Sequence, residues 1–518
     1  MKLSLYNGLL AVSLLVLLQA CYKDEGNYDL IDYNRINTIT TPTIPAVIMG
    51  DTLKLKPAIT WKYPGRDTSD AAFEYEWRQV DSVVSRERDL AYAPNLPGYI
   101  MIYLYVKEKA TGIVSQHAKQ IQVISAYKAG WLMLANEGGR SVLHFIRRDT
   151  KRDANNNIYY EYKHYPDVFS TLYPGVQLGE NPVRLNTRAF PDYTLDQVLV
   201  VQGNGTVFLS GDDFSKKIEL RSEFPNQTFP QNARPVDYLD GGPANFALMD
   251  DGKLYAKRNA KTMGGLHDGF FMDVPYYFEG GGAHLTQIVE SNYDQTSFVY
   301  LYDDLNKRFI GVYTTTGSND YIGGKMYLQN SSTPPAGWVP LTGHPGYSMK
   351  YCSDHSNGVY FTNIMKNENT GQYLLQNYRL TMRLTYLDVA EQQQEVFAGN
   401  GIVTDNTIYY RLRNSSYLFF GEGSKLYFYD VNTKIVTLYH DFGTGKITKI
   451  TSDANSGELG VLLDNGTFTI CSLKNEVLGN ADPGAVGILY QLPDAGNVID
   501  LTWKWGSYFE FVFRRYPA

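Results

Sequence analysis

From about residue 126 onward the chain repeats one pattern: an apolar run, a tight turn of Asp, Asn, Glu and Gly, and a second apolar run. The copies turn at Glu137-Gly138-Gly139, Asn204-Gly205, Asp251-Gly252, Asp303-Asp304, Asn357-Gly358, Glu422-Gly423 and Asn465-Gly466. Asn-Gly and Asp-Gly suit two-residue hairpins because these residues tolerate positive φ. Successive turns lie about 55 residues apart on average, so each unit has room for two further strands, as a four-stranded propeller blade requires. Residues 498–505 and 509–513 are also strand-like and predict a closure of the ring against the first unit. The expectation is a β-propeller of about seven blades, with stacked sandwiches as the alternative. Leu387 to Phe397, which contains Glu391-Gln-Gln-Gln-Glu395, is the best short helix candidate in this region.

Before residue 126 the period changes to short alternating runs at close spacing. Thr52-Leu53-Lys54-Leu55, Phe73-Glu74-Tyr75-Glu76-Trp77 and Ile100 to Val106 each read as half-buried strands. A further strand follows near residues 119–124. Such strands over residues 36–125 predict a small antiparallel sandwich. Residues 22–35 are polar and without period, a tether.

Tyr75-x-Trp77, followed by Pro97-Gly98-Tyr99 opening an alternating strand, is similar to the PKD-type immunoglobulin-like domain, although the Gly-Asp-Gly turn of better-known PKD domains is missing after Trp77. The extreme N-terminus has Lys2, an apolar run from Leu9 to Leu18, and then Leu18-Gln19-Ala20-Cys21. The run is shorter than the roughly 20 residues a membrane span needs. Its ending resembles the bacterial lipobox, which implies acylation of Cys21, palmitate included. Lys23, Asp24 and Glu25 look like the signal that sends Bacteroidota lipoproteins to the outer face of the outer membrane. The expected division is therefore 1–20 lipoprotein signal peptide, 21–35 lipidated tether, 36–125 PKD/immunoglobulin-like domain and 126–518 β-propeller. The whole resembles the PKD-like surface lipoproteins of Bacteroidota that accompany SusC/SusD-type uptake systems. That resemblance implies an extracellular-face location, SusC/SusD-type transporter proteins as partners, and glycan or oligopeptide cargo.

Composition narrows the chemistry. Of 518 residues, 42 are Tyr, 24 Phe and 6 Trp, and the formal charge is −7 with no basic block, which argues against nucleic acid. Tyrosine at this density suits half-buried sheet surfaces. Cys352 and Cys471 lack Cys-x-x-Cys spacing and read as buried thiols, with a pairing left open. The eight histidines are scattered singly. No zinc-protease, nucleophile-elbow or phosphate-loop motif is present. Asp153-Ala-Asn-Asn-Asn157 and Asp453-Ala-Asn455-Ser-Gly457 have fragments of calcium-loop spacing without the closing glutamate. The expectation is thus no cofactor, no metal and no catalytic residue: a non-catalytic accessory protein. A propeller-based hydrolase or lyase using two carboxylates stays open as the alternative. Two loops suit a ligand. One is Pro275-Tyr276-Tyr277-Phe278 beside three glycines; the other sets Trp338 in a Pro/Gly-rich segment.

Overall fold

The computed structural model describes residues 35–504, apart from 45, 66–67, 96, 189–196, 204, 226–227, 231–232, 241–243, 259–268, 290–297, 314–324, 331–333, 357–358, 383–385 and 454–456. The chain divides after Ile124 into two compact units.

In the first unit Phe73–Gln79 buries Phe73, Tyr75 and Trp77 and turns Glu74 outward, as its alternation requires. It lies in a five-stranded sheet ordered Val47–Ile48, Val114–Ile124, Gly98–Glu108, Phe73–Gln79, Ser82–Ser85. Two short antiparallel pairs, Ile36–Thr40 with Ala58–Trp61 and Leu53–Leu55 with Leu90–Tyr92, complete the unit. Trp77 is fully buried and donates its indole N–H to the Glu87 carbonyl at 3.0 Å. Burial pushes the Tyr75 phenol up to about 12, helped by its bond to Asp70. This is an immunoglobulin-like domain.

The second unit is a propeller. Seven sheets follow one another in sequence, and their innermost strands form a closed ring of neighbours. Blade 1 orders Val498–Lys504, Gly130–Glu137, Arg140–Arg152, Ile158–Tyr165 from the axis outward. Blade 2 runs Pro182–Arg188, Gln197–Gln202, Val207–Ser210, Lys216–Glu219, and blade 3 shows Pro235–Asp240, Ala244–Met249, Leu254–Arg258 among the described residues. Blade 4 is Leu285–Val289, Phe298–Asp303, Arg308–Tyr313, Lys325–Asn330; blade 5 is Tyr347–Ser356, Tyr360–Asn367, Tyr373–Met382, Leu387–Val396. Blade 6 is Ile408–Arg411, Tyr417–Glu422, Lys425–Asp430, Ile435–Asp441, and blade 7 is Ile447–Ser452, Glu458–Leu463, Phe468–Ser472, Ile488–Leu492. The late strand Val498–Lys504 joins blade 1 as its innermost member, pairing Trp503 with Trp131 and Leu501 with Met133. Residues 498–504 thereby close the ring on the first blade, as their sequence predicts, while residues 509–513 lie outside the described residues.

The second strands are buried on both faces because a neighbouring blade covers each side. Trp131 to Ala135, Ala244 to Met249 and Glu458 to Leu463 are buried throughout. Close approach of the blades demands missing side chains at particular positions. A Cβ on Gly460 of blade 7 would sit 2.6 Å from the Trp131 ring of blade 1, and one on Gly421 of blade 6 would meet Ile447 of blade 7 at 2.7 Å. Aspartates staple inner strands together. Asp500 accepts the Leu185 N–H of blade 2 at 2.8 Å and pairs with Lys449 of blade 7 at 2.7 Å. Asp237 of blade 3 repeats the device, accepting Ile288 N–H of blade 4 at 3.3 Å and pairing with Arg184 of blade 2 at 2.9 Å.

Two expectations need correction. Leu387–Val396 is the outermost strand of blade 5, not a helix. Pairing along Tyr373–Met382 overrides the helix preference of Glu and Gln, with an irregularity opposite Asn377 to Arg379 and Glu391 at φ +51°. Asn357-Gly358, outside the described residues, fall in sequence between the first and second strands of blade 5, whereas the other copies fall between second and third. The equivalent turn is the longer Asn367 to Gly371 loop, closed by a Gly371 N–H to Asn367 carbonyl bond at 2.8 Å.

Buried histidines make the propeller acid-sensitive. His344 is 1% exposed, stacks on Tyr302 and lies 3.2 Å from its hydroxyl. Burial, with Lys307 nearby, holds its pKa down to about 4. His355 is lowered to about 3 by burial and by Arg411. A depressed histidine favours the fold above its unfolded pKa and loses that contribution as pH falls towards the folded value. For His344 the loss between pH 6.5 and 4 amounts to about 3 kcal/mol. We expect the melting temperature to fall over that window, and His344→Phe, which keeps the ring packing, to flatten the fall. An unchanged slope in His344→Phe would count against this assignment.

Candidate ligand pocket

After blade 4 the chain enters the proline- and glycine-rich loop that carries Trp338, with Gly337 at φ +79°. Two glutamines of blade 5 pin it. Gln394 accepts Val339 N–H at 2.9 Å and donates to the Gly337 carbonyl at 2.8 Å. Gln376, fully buried, donates to the Val339 carbonyl at 2.9 Å and to Gln394 Oε1 at 2.8 Å. Behind them Asn363 donates to Gln376 at 3.4 Å, Tyr378 donates to Asn363 at 3.0 Å, and the Tyr300 hydroxyl lies 3.3 Å from that of Tyr378. A hydrogen-bonded chain therefore runs from the blade 4/5 core to the loop. Fully paired networks of this kind hold one geometry.

The loop roofs a pocket of about 450 Å³ lined by Pro335 to Trp338, Leu375, Asn377, Gln392 to Glu395, Val431 and Lys434. Asn377 and Gln393 are cross-strand partners. Trp338 is half-buried, its ring edge-on to Tyr378 at 6.1 Å between centroids. Glu395 is paired with Lys434 and accepts the Tyr429 hydroxyl at 2.8 Å. Burial, and then that bond, raise the Tyr429 phenol. The pocket combines an indole with side-chain amides, each of which both donates and accepts. Its charges neutralise each other.

The four aromatic residues singled out in the sequence separate. Trp338 lines this pocket. Tyr276 is 5% exposed in the blade 3/4 core against Phe246, so it offers no ring to a ligand. Tyr277–Phe278 is a short strand beside Lys325 and Met326 of blade 4. Alternation exposes Tyr277 and turns Phe278 under the Arg308 guanidinium at 4.0 Å. Consecutive aromatics in a strand cannot all face one way, and the expectation of three rim rings is corrected accordingly. Cys21, Lys23, Asp24 and Glu25 lie outside the described residues. Gln393 and Glu395 were not legible because residues 387–397 read as a helix; as a strand, its alternation places them together, and pairing brings Asn377 of the neighbouring strand beside Gln393.

Two other places carry chemistry. The axial channel, about 550 Å³, is lined by inner strands, including Arg184, Lys449 and Asp500 of the staples above. At the blade 1/7 seam Asp453 and Glu458 share Arg148, at 2.7 and 3.0 Å. Glu458 also accepts the Tyr162 hydroxyl at 2.7 Å and the Trp131 indole at 3.4 Å. Burial, with Asp453 beside it, raises Glu458 against the pull of Arg148. These carboxylates are 1% and 2% exposed and saturated by protein donors, so they offer no open acid–base pair. Asp453 accepts from the Arg148 guanidinium, and Asn455 of the calcium-like spacing lies outside the described residues. Among the described residues no group of three or more His, Cys, Asp or Glu is placed to hold a metal ion. Cys352 and Cys471 are buried free thiols rather than a disulfide, and burial raises both.

Residues 21–182 match the model of the PKD-like family. No curated protein matches the chain in sequence. Among solved structures the chain is similar to a quinoprotein alcohol dehydrogenase-like protein from Bacteroides thetaiotaomicron, at TM-score 0.36 and 10% identity, covering 92% of this chain and 98% of that one. It is also similar to the dihydro-heme d1 dehydrogenase NirN, at TM-score 0.36 and 12% identity over 77% and 72%. A third is BamB from Moraxella catarrhalis, at TM-score 0.29 and 8% identity over 71% and 89%.

Proposed function

We propose that the protein is a non-catalytic, lipid-anchored protein on the extracellular face of the outer membrane, an accessory of a SusC/SusD-type uptake complex, and that its propeller binds glycan at the Trp338 pocket. The observation that carries the reading is the pocket's inventory: an indole, Asn377 and Gln393 as a cross-strand amide pair, and a self-neutralised Glu395–Lys434 pair. Rings cover the apolar face of a sugar, and amides exchange hydrogen bonds with vicinal hydroxyls in both directions. An oligopeptide would want an open charge for its termini, and here each charge is already answered. The anchor rests on the lipobox-like Leu18-Gln19-Ala20-Cys21, and the family match begins at that cysteine.

Isothermal titration of the full chain in detergent, against soluble glycans and against oligopeptides, tests the pocket. Trp338→Ala and Gln393→Ala are each expected to weaken glycan binding, Trp338→Ala by about thirtyfold if the ring is an anchor. Wild-type affinity in Trp338→Ala would sink the pocket assignment. Peptide binding alone would replace the cargo, and glycan cleavage during the titration would favour the hydrolase or lyase reading. Co-purification with a transporter and its lid from native membranes tests the partnership separately.

A further inference from the structure

Among the described residues the outermost strand of blade 1, Ile158–Tyr165, has a neighbour on one side only. Among the described residues only the outer strand of blade 5 is longer, and that one is joined by the outer strand of blade 4 at two residues and by the Trp338 loop at Gln394. The outer strands of blades 4 and 5 pair with each other in parallel at Gln329 with Leu387 and Asn330 with Asp388. Those of blades 2, 6 and 7 are four, seven and five residues long. Natural sheets blunt a free edge with charge, proline or brevity. Here the edge is long and begins with Ile158, Tyr159 and Tyr160, exposed at 52%, 45% and 40%.

We propose that this edge pairs with the same strand of a second copy of the chain, antiparallel about a two-fold axis at Tyr162. In that register Glu161 of each copy faces Lys163 of the other, Tyr160 faces His164, and Tyr159 faces Tyr165. Glu161 and Lys163 are both exposed and therefore able to meet. Opposite charges and aromatic pairs directly across an antiparallel ladder are favourable, and like charges are unfavourable. A slip of the axis by one residue either way sets Glu161 against Glu161 or Lys163 against Lys163. The charges thus select one register as well as one partner. The pairing is isologous, the commonest form of closed association.

Sedimentation velocity of the full chain in detergent, over a range of concentration, reads the association. The wild type is expected to reach dimer. Glu161→Lys and Lys163→Glu should each weaken dimerisation by about tenfold or more, and the double exchange should restore it. As a readout that does not depend on affinity, Glu161→Cys and Lys163→Cys chains are mixed under mild oxidation. Facing positions bring Cα atoms within disulfide range, so the cross-linked species should form in the mixture and not with either variant alone. A wild type that stays monomeric throughout, a double exchange no better than the single ones, or cross-links independent of mixing would each overturn the proposal.

Discussion

A chain ending at Asn497 is expected to lose the cooperative fold of its propeller. The strand so removed, Val498–Lys504, is the innermost member of blade 1 and pairs with Gly130 to Ala135. It buries Leu501 and Trp503 to 2% and 5% exposure, and Asp500 staples blade 2 to blade 7. Deleting one buried Leu and one buried Trp side chain alone costs of order 5–10 kcal/mol, which is comparable to the whole stability of a domain. The lost ladder and the opened channel edge add to it. Thermal unfolding followed by circular dichroism, with limited proteolysis of residues 125–497, should show a broad, low transition and rapid digestion. The point variant Trp503→Ala should show a smaller loss, about 3–5 kcal/mol, with cooperativity kept. A truncated chain that melts like the wild type would show that the ring does not need its late strand.

The second large effect is expected at the same seam. Arg148 answers two buried carboxylates, Asp453 and Glu458, and its guanidinium also stacks on Trp503 at 4.6 Å. Arg148→Met keeps the stem and removes the charge. Breaking a buried pair from one side leaves the remaining charges uncompensated, typically at a cost of 3–5 kcal/mol. The pH dependence supplies a sign. Burial already raises Glu458 in the intact protein, with Asp453 adding to it and Arg148 opposing it. Without Arg148 the folded-state pKa climbs further, so the fold binds a proton more tightly than the unfolded chain does. Stability contributed by such an acid is present at low pH and lost as pH rises through the raised value. The deficit of Arg148→Met relative to wild type should therefore shrink from pH 8 to pH 5, and Glu458→Gln placed on Arg148→Met should recover part of it. Denaturant unfolding of the three proteins at the two pH values measures this. Equal deficits at both would place the effect in lost packing on Trp503, not in charge.

The repeat was legible because the second and third strands of most blades are covered on both sides. Their burial writes near-continuous apolar runs around an Asx-Gly or Glu-Gly turn, as in Leu459 to Ile470. First and fourth strands were not legible as such. Inner strands carry polar residues such as Arg184 and Asp500 that answer the next blade, and outer strands such as Leu387–Val396 are half exposed. In blade 5 the central turn is a five-residue loop, Asn367 to Gly371, without an Asx-Gly pair, and the Asn357-Gly358 pair of the sequence falls one strand earlier. Trp338 was visible as an aromatic in a Pro/Gly segment. The amides that complete its pocket were not, since what makes them a wall is pairing with residues 15 or more positions away.

Sequence by itself determined the two-unit division in outline, the all-β class, the alternating sandwich and the hairpin repeat, because local period and turn chemistry act within a few residues. Tertiary structure alone decided the rest. It made residues 498–504, already legible as closing strands, the innermost member of blade 1, set Arg148 against Asp453 and Glu458 across some 300 positions, and sent Tyr276 inward. It also drew Leu387–Val396 into a strand, against its local preference. Each of these depends on which surfaces meet across the chain, where burial and pairing between distant strands outweigh the preferences of the individual residues.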